Sequence, residues 1–515
     1  MQADEPADLT KRIAKELGAP WHTVAAESLT EALERDVIVD FIADTGDDYS
    51  VSKAVARLLV EEFEVSDPDD ESKTLRLPRG DVVVFGGDTA YPVATDIEIH
   101  NRVVVPWNQV LRKHDDGKTR VILGIPGNHD WFAGLDGFGR MFRRRKVKLE
   151  PASDEHISRL PQLGHFIDFV EAFRMGKDVV KRSALALVGY SPVQSASYWA
   201  LRLAPKVDFW GVDRQLRSVD FRQRAFFADI REDSKDNAIV LSIADPVYAF
   251  LEPNPPGVAS MKALGLTLED DGVLVLTGDT HHYCRQNFGK GMHVIAGGGG
   301  AFLHPARIAR TGFKPPEAEF PGPKTTLALA LQVPWQIVHG RSGFLIHSVL
   351  GALYAPLFAL QWATGRDGKM AAGITAVVAT LACLGLGGWR HKFWRIFVLS
   401  LVTGAVVGFL PAQAHRLARL VASNAFQLAA FAYAFSIYLG TLAMGTYLML
   451  LTVLGLEQHQ ALSALAHPGY KHFVRLRVRR DGSAIDGWAF GRVDPLSQAD
   501  RVVLVDRFQW KNPSR

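Results

Sequence analysis

Val121-Ile-Leu-Gly-Ile-Pro-Gly-Asn-His-Asp130 passes from a β-branched apolar segment into Gly-Asn-His-Asp within ten residues. A short apolar run bounded by Gly and Pro reads as a buried strand. Polar side chains delivered just past a strand end are where layered α/β folds assemble their sites. Four other runs repeat the pattern: Asp36-Val-Ile-Val-Asp-Phe-Ile-Ala-Asp44, Asp81-Val-Val-Val-Phe-Gly-Gly-Asp88, Ala238-Ile-Val-Leu-Ser-Ile-Ala-Asp245 and Val273-Leu-Val-Leu-Thr-Gly-Asp-Thr-His-His282. Five such endings, rich in Asp, Asn and His and with no matching cysteines, indicate a metal site with hard ligands.

Taken in order, Gly86-Gly-Asp88, Gly127-Asn-His-Asp130 and Gly278-Asp-Thr-His281 resemble the calcineurin-like metallophosphoesterases, over roughly Asp36 to Pro305. The resemblance implies a four-layer αββα sandwich with two metal ions at the sheet edge, which together clamp a phosphate and activate a water. Residue by residue, it implies Asp88 as the bridging ligand, Asp44 and His281 on one ion and Asn128 on the other. Asp245 and Asp279 stand where the family carries histidines, and join the expected ligand set. The resemblance makes His129 the phosphate-contacting acid and Asp130 the group that orients it or a neighbour.

The chain departs from the family at three positions. Gly46 stands where a histidine follows the first Asp, Ala244-Asp245 where another is expected, and Asp279 where the last motif begins with histidine. The resulting site is more anionic and harder. It favours Mn²⁺ or Fe²⁺, with Mg²⁺ or Zn²⁺ as alternatives, and either a nearby cation compensates the added charge, or catalysis is slower, or one ion binds weakly. Asp47 and Asp48 are candidate replacement ligands or helix caps. Arg285 is a candidate phosphate clamp, and its neighbour Cys284 reads as packing. Gly297-Gly-Gly-Gly300 lacks the lysine of a nucleotide-binding P-loop, so no nucleotide cofactor is expected.

At 515 residues the chain holds two or three units. A net charge of +3 is too mild to imply nucleic acid. Two cysteines far apart give no disulfide framework, which fits a reducing compartment. No signal peptide is read at the N-terminus. Four stretches carry no Asp, Glu, Lys or Arg: Phe344–Ala363, Met370–Trp389, Ile396–Ala414 and Asn424–Leu456. A helix needs about 20 apolar residues to cross a bilayer, so four transmembrane helices are expected. The domains read as residues 1–335 (phosphoesterase-like), 343–456 (membrane) and 457–515, a soluble tail with strands at Phe473-Val-Arg-Leu-Arg-Val478 and Val502-Val-Leu-Val505. Both soluble parts are expected in the cytosol.

Arg140-Met-Phe-Arg-Arg-Arg-Lys-Val-Lys148 reads as a solvated face or as a contact for anionic headgroups. The expected partners are therefore the lipid bilayer and a phosphate mono- or diester, a lipid-linked phosphate included. The expected function is a membrane-anchored phosphoesterase. The alternative is a catalytically degenerate, metal-stabilised sensor or scaffold.

Overall fold

The computed structural model describes residues 3–23, 26–145, 185–216, 218–364, 369–388 and 392–515. Its strands are β1 (Val37–Ile42), β2 (Phe63–Ser66), β3 (Thr74–Leu77), β4 (Val82–Phe85), β5 (Arg120–Gly124), β6 (Tyr190–Pro192), β7 (Trp199–Ala204), β8 (Val207–Val212) and β9 (Ala238–Ile243). They continue with β10 (Tyr248–Ala249), β11 (Glu252–Pro253), β12 (Leu274–Thr277), β13 (Tyr283–Phe288), β14 (Gly291–Ala296), β15 (Ala318–Phe320), β16 (Lys471–Val478), β17 (Ala484–Arg492) and β18 (Val503–Lys511). All five polar-ended runs form strands: β1, β4, β5, β9 and β12.

Two seven-stranded sheets result, ordered β18-β17-β16-β1-β4-β5-β6 and β15-β13-β14-β12-β9-β8-β7. Strands β1, β4, β5 and β6 run parallel in the first, as do β8, β9, β12 and β14 in the second. The central strands are buried along their whole length, as expected of parallel strands covered on both faces. One core joins the facing surfaces of the two sheets, with Phe41, Val84 and Leu123 meeting Leu201, Val240 and Leu276. A second core packs the helices Tyr49–Val60 and Val105–Leu111 on the outside of the first sheet. A third packs Phe221–Asp233 and Pro255–Ala263 on the outside of the second.

The C-terminal segment completes the first sheet. β16 pairs antiparallel with β1, and β17 and β18 extend the meander. Arg475 of β16 and Asp40 of β1 form an ion pair in which both side chains are fully buried, at 2.6 Å. By compactness the chain divides into two units. One is Met1–Ala301 with Lys314–Phe320 and Pro468–Arg515, and the other is Phe302–Phe313 with Pro321–His467.

The second unit holds the helices Pro323–Val338, Leu345–Thr364, Lys369–Gly387, Phe393–Ala418 and Ala425–Val453. Of the four membrane-crossing helices expected, two are supported. Among the described residues two are long and apolar enough by length and composition, Phe393–Ala418 and Ala425–Val453. Leu345–Ala359 and Ala372–Gly387 are shorter apolar segments among the described residues. Small residues let these helices approach closely. A Cβ on Gly404 would lie 2.0 Å from Thr380 Oγ1, and one on Gly408 would lie 2.6 Å from the Ala376 Cβ.

Candidate metal centre

Register brings the strand ends level. Ile42 of β1 lies beside Phe85 of β4, and Phe85 beside Gly124 of β5, so the residues that follow emerge at one edge. In the second sheet Thr277 lies beside Ile243, which aligns Asp279 with Asp245. Asp44, Asp88 and Asp279 each sit just past a strand with a positive φ, at 57°, 48° and 61°. Left-handed backbone is unusual for a residue with a Cβ, and it concentrates where function over-determines the local structure.

The side chains converge on one hydroxyl. Tyr91 Oη donates to Asp44 Oδ1 at 2.7 Å, and lies 3.0 Å from His281 Nε2 and 3.3 Å from Asp88 Oδ2. His281 Nε2 is 3.5 Å from Asp44 Oδ1. Two backbone N–H groups fix the carboxylates: Asp279 N–H donates to Asp44 Oδ2 at 2.8 Å, and His129 N–H to Asp88 Oδ1 at 2.8 Å. The glycines between them provide the space. A Cβ on Gly127 would fall 2.1 Å from Asp88 Oδ1, and one on Gly297 2.6 Å from Asp44 Oδ2.

The electrostatics follow from burying several carboxylates together. Burial first, then the charges of Asp44, Asp130 and Asp279, raises Asp88 far above the usual carboxylate range. Asp279 is pushed up to about 6 by burial and by Asp44. Asp245 rises to about 7 through burial and Asp279, with Arg214 opposing. A cluster that resists ionisation without a counter-charge is well matched to cations. Its donors are carboxylate oxygens and one imidazole, a hard set.

The remaining expected residues divide into two groups. Asn128 opens the short helix Asn128–Phe132, between Gly127 and His129. His129 Nδ1 lies 2.6 Å from the Pro92 carbonyl, and its ring faces Tyr91 and the exposed Phe132. Asp130 does not hold the His129 ring. It accepts from Gly127 N–H at 2.9 Å and Thr89 N–H at 3.3 Å, bracing the turn that carries His129. Arg285, the expected phosphate clamp, is held by Asp506. Its Nε donates to Asp506 Oδ2 at 2.6 Å, on a carboxylate that also accepts from Tyr283 Oη.

Gly46 has no space for an imidazole, since a Cβ there would meet Val103 Cγ2 at 2.7 Å. Asp48 caps the helix Tyr49–Val60 by accepting from Ser50 and Val51 N–H, and Asp47 lies 3.7 Å from Arg102. The basic stretch is partly spent as well. Arg140 pairs with Asp96 and Asp136, while residues 146–148 lie outside the described residues.

Three residues escaped the sequence reading. Tyr91 could have been flagged by its position three residues after Asp88. Lys471 and Arg214 carried no local signal. Lys471 is fully buried, donates to the Ala301 carbonyl, and feels Asp47 and Asp44. Burial lowers its ammonium to about 7 against their pull. Arg214 binds Asp245. Arg214 thereby supplies a compensating charge at Asp245.

No family model matches the chain, and no curated protein matches it. Among solved structures it is similar to GAP50, the anchor in the inner membrane complex of Plasmodium, at 11% identity over 52% of this chain and 74% of that one, with a TM-score of 0.32. It is also similar to PhoD, at 11% identity over 52% of this chain and 58% of that one, with a TM-score of 0.24. At this level of likeness the chemistry has to be argued from the residues.

Proposed function

We propose that this chain is a membrane-anchored, metal-dependent phosphoesterase of the calcineurin-like type, cleaving a phosphate mono- or diester. The observation that carries the reading is the convergence of Asp44, Asp88 and His281 on Tyr91 Oη within 3.3 Å. Asp279 lies near enough to Asp245 to raise it. A divalent pair held by Asp44, Asp88, Asn128, Asp245, Asp279 and His281 would supply charge neutralisation and a water of lowered pKa. The chain's own residues do the rest. The Pro92 carbonyl accepts a hydrogen bond from Nδ1–H of His129, which leaves Nε2 as the group that meets the phosphate or its leaving oxygen. Asp130 holds the turn under it. Phe132 adds an apolar rim.

Membrane anchoring is supported by the faces of the two long helices. Only 33% and 39% of their most apolar windows are buried. Val398, Val402, Phe409 and Phe426 are exposed, an outward apolar surface that a soluble core helix would not carry. Phosphates borne on lipid are therefore the first substrates to test.

The test uses the full chain in detergent with Mn²⁺ and generic phosphomonoesters and phosphodiesters. Turnover is expected, abolished by Asp88→Asn and reduced about 10²–10⁴-fold by His129→Ala. Metal bound without turnover of any ester would instead favour the sensor or scaffold reading, which rests on the three missing histidines, at Gly46, Ala244-Asp245 and Asp279.

A further inference from the structure

A second cluster of ligand-type side chains lies next to the carboxylate centre in the chain. His282, Cys284 and Glu319 each offer one ligand atom, and the three atoms lie within 4.8 Å of one another. The strand geometry explains the meeting. Cys284 of β13 and Glu319 of β15 are direct cross-strand partners, so their side chains share one face at short range. On β13, Tyr283 belongs to the core between the sheets, and on β15 Ala318 and Phe320 pack against that same core. Alternation therefore turns Cys284 and Glu319 to the outer face. His282, two residues before Cys284, joins them there, while His281 turns to the carboxylates. One peptide bond thus separates a residue of each cluster.

We propose that His282, Cys284 and Glu319 form a thiolate-containing cation site, separate from the carboxylate centre and selective for a borderline-soft divalent ion of the zinc class. The donor set decides the selectivity. Sulfur and imidazole nitrogen favour Zn²⁺ or Co²⁺ over Mg²⁺ and Mn²⁺, which the oxygen-rich centre suits. Bonds of about 2.0–2.3 Å bring ligand atoms to roughly 3–4 Å from one another, a contraction that side-chain rotation supplies. Binding takes the cysteine as thiolate, so one proton leaves to solvent as the ion enters. Three protein ligands leave the fourth tetrahedral position to water. The ion would clip β15, an edge strand of only three residues, onto β13.

The experiment titrates the full chain with Co²⁺ alone and follows the near-ultraviolet thiolate-to-cobalt charge-transfer band. The band is expected in the wild type, in Cys383→Ser, which removes the other cysteine, and in Asp88→Asn, which disables the carboxylate centre. It is expected to vanish in Cys284→Ser. In Glu319→Gln, at a half-exposed position that folding tolerates, the band should need at least about tenfold more Co²⁺. A wild type without the band, or a band that survives Cys284→Ser, overturns the site whatever the activity measurements give.

Discussion

Tyr91 is the residue on which the candidate centre turns, because its hydroxyl meets two carboxylates and an imidazole at once. Tyr91→Phe should keep the fold and weaken Mn²⁺ binding by roughly tenfold or more, read by calorimetric titration. Asp208 gives a separate residue-scale outcome, remote from the metal ligands. Burial pushes it up to about 6, with Arg202 and Asn237 opposing, against 3.8 for an ordinary Asp. Between those values the folded chain binds the proton more tightly than the unfolded chain, so stability is lost as pH rises through the window. Asp208→Asn should therefore melt near the wild type at pH 4 and above it at pH 7, by up to ~3 kcal/mol. Asp44, Asp88 and His281 were legible in the sequence because each closes an apolar run. Tyr91 lies inside a turn, and Lys471 belongs to the tail. No pattern along the chain ties Lys471 to the strand ends, and only its spacing from Asp88 ties Tyr91 to them.

At the scale of elements, the β1–β16 pairing rests on Arg475 and Asp40. Arg475 also donates to the Leu59 and Glu61 carbonyls, and Asp40 accepts from Gly80 N–H. Arg475→Ala should cost about 3–5 kcal/mol, because it leaves a carboxylate buried without its partner. Asp40→Leu with Arg475→Met should recover only part of that, since three backbone groups still lack partners. Chemical denaturation of the two variants checks both. This pairing also shows why the sequence misleads. Phe473-Val-Arg-Leu-Arg-Val478 alternates like a half-exposed strand, yet β16 is buried at every position. Its arginines are inside because Asp40 and Asp486 meet them. β7 and β8 gave no comparable signal: Arg202 interrupts the first apolar run and Asp208 and Gly211 the second, although Asp213 follows β8 directly.

At the scale of the molecule, the unit that holds the two sheets is discontinuous in sequence, and that changes how it can be isolated. A fragment ending at residue 335 would leave β1 unpaired on one side and remove Arg475 and Lys471. Residues 1–320 alone should aggregate on expression, whereas residues 1–320 joined by a flexible linker to 468–515 should give a monomer by gel filtration. An exposed central strand is a template for association.

The same discontinuity sets an order of events during synthesis. Asp40 and Arg475 are 435 residues apart, which at 5–20 residues per second is roughly 20–90 s of translation. For that interval the nascent N-terminal half has a bare strand edge beside the residues that would bind metal. A ribosome that stalls within the apolar helices releases a protein whose first sheet has not closed. Maturation of the centre is thereby tied to passage of the helical segment, and truncated chains become natural substrates for chaperones and proteases.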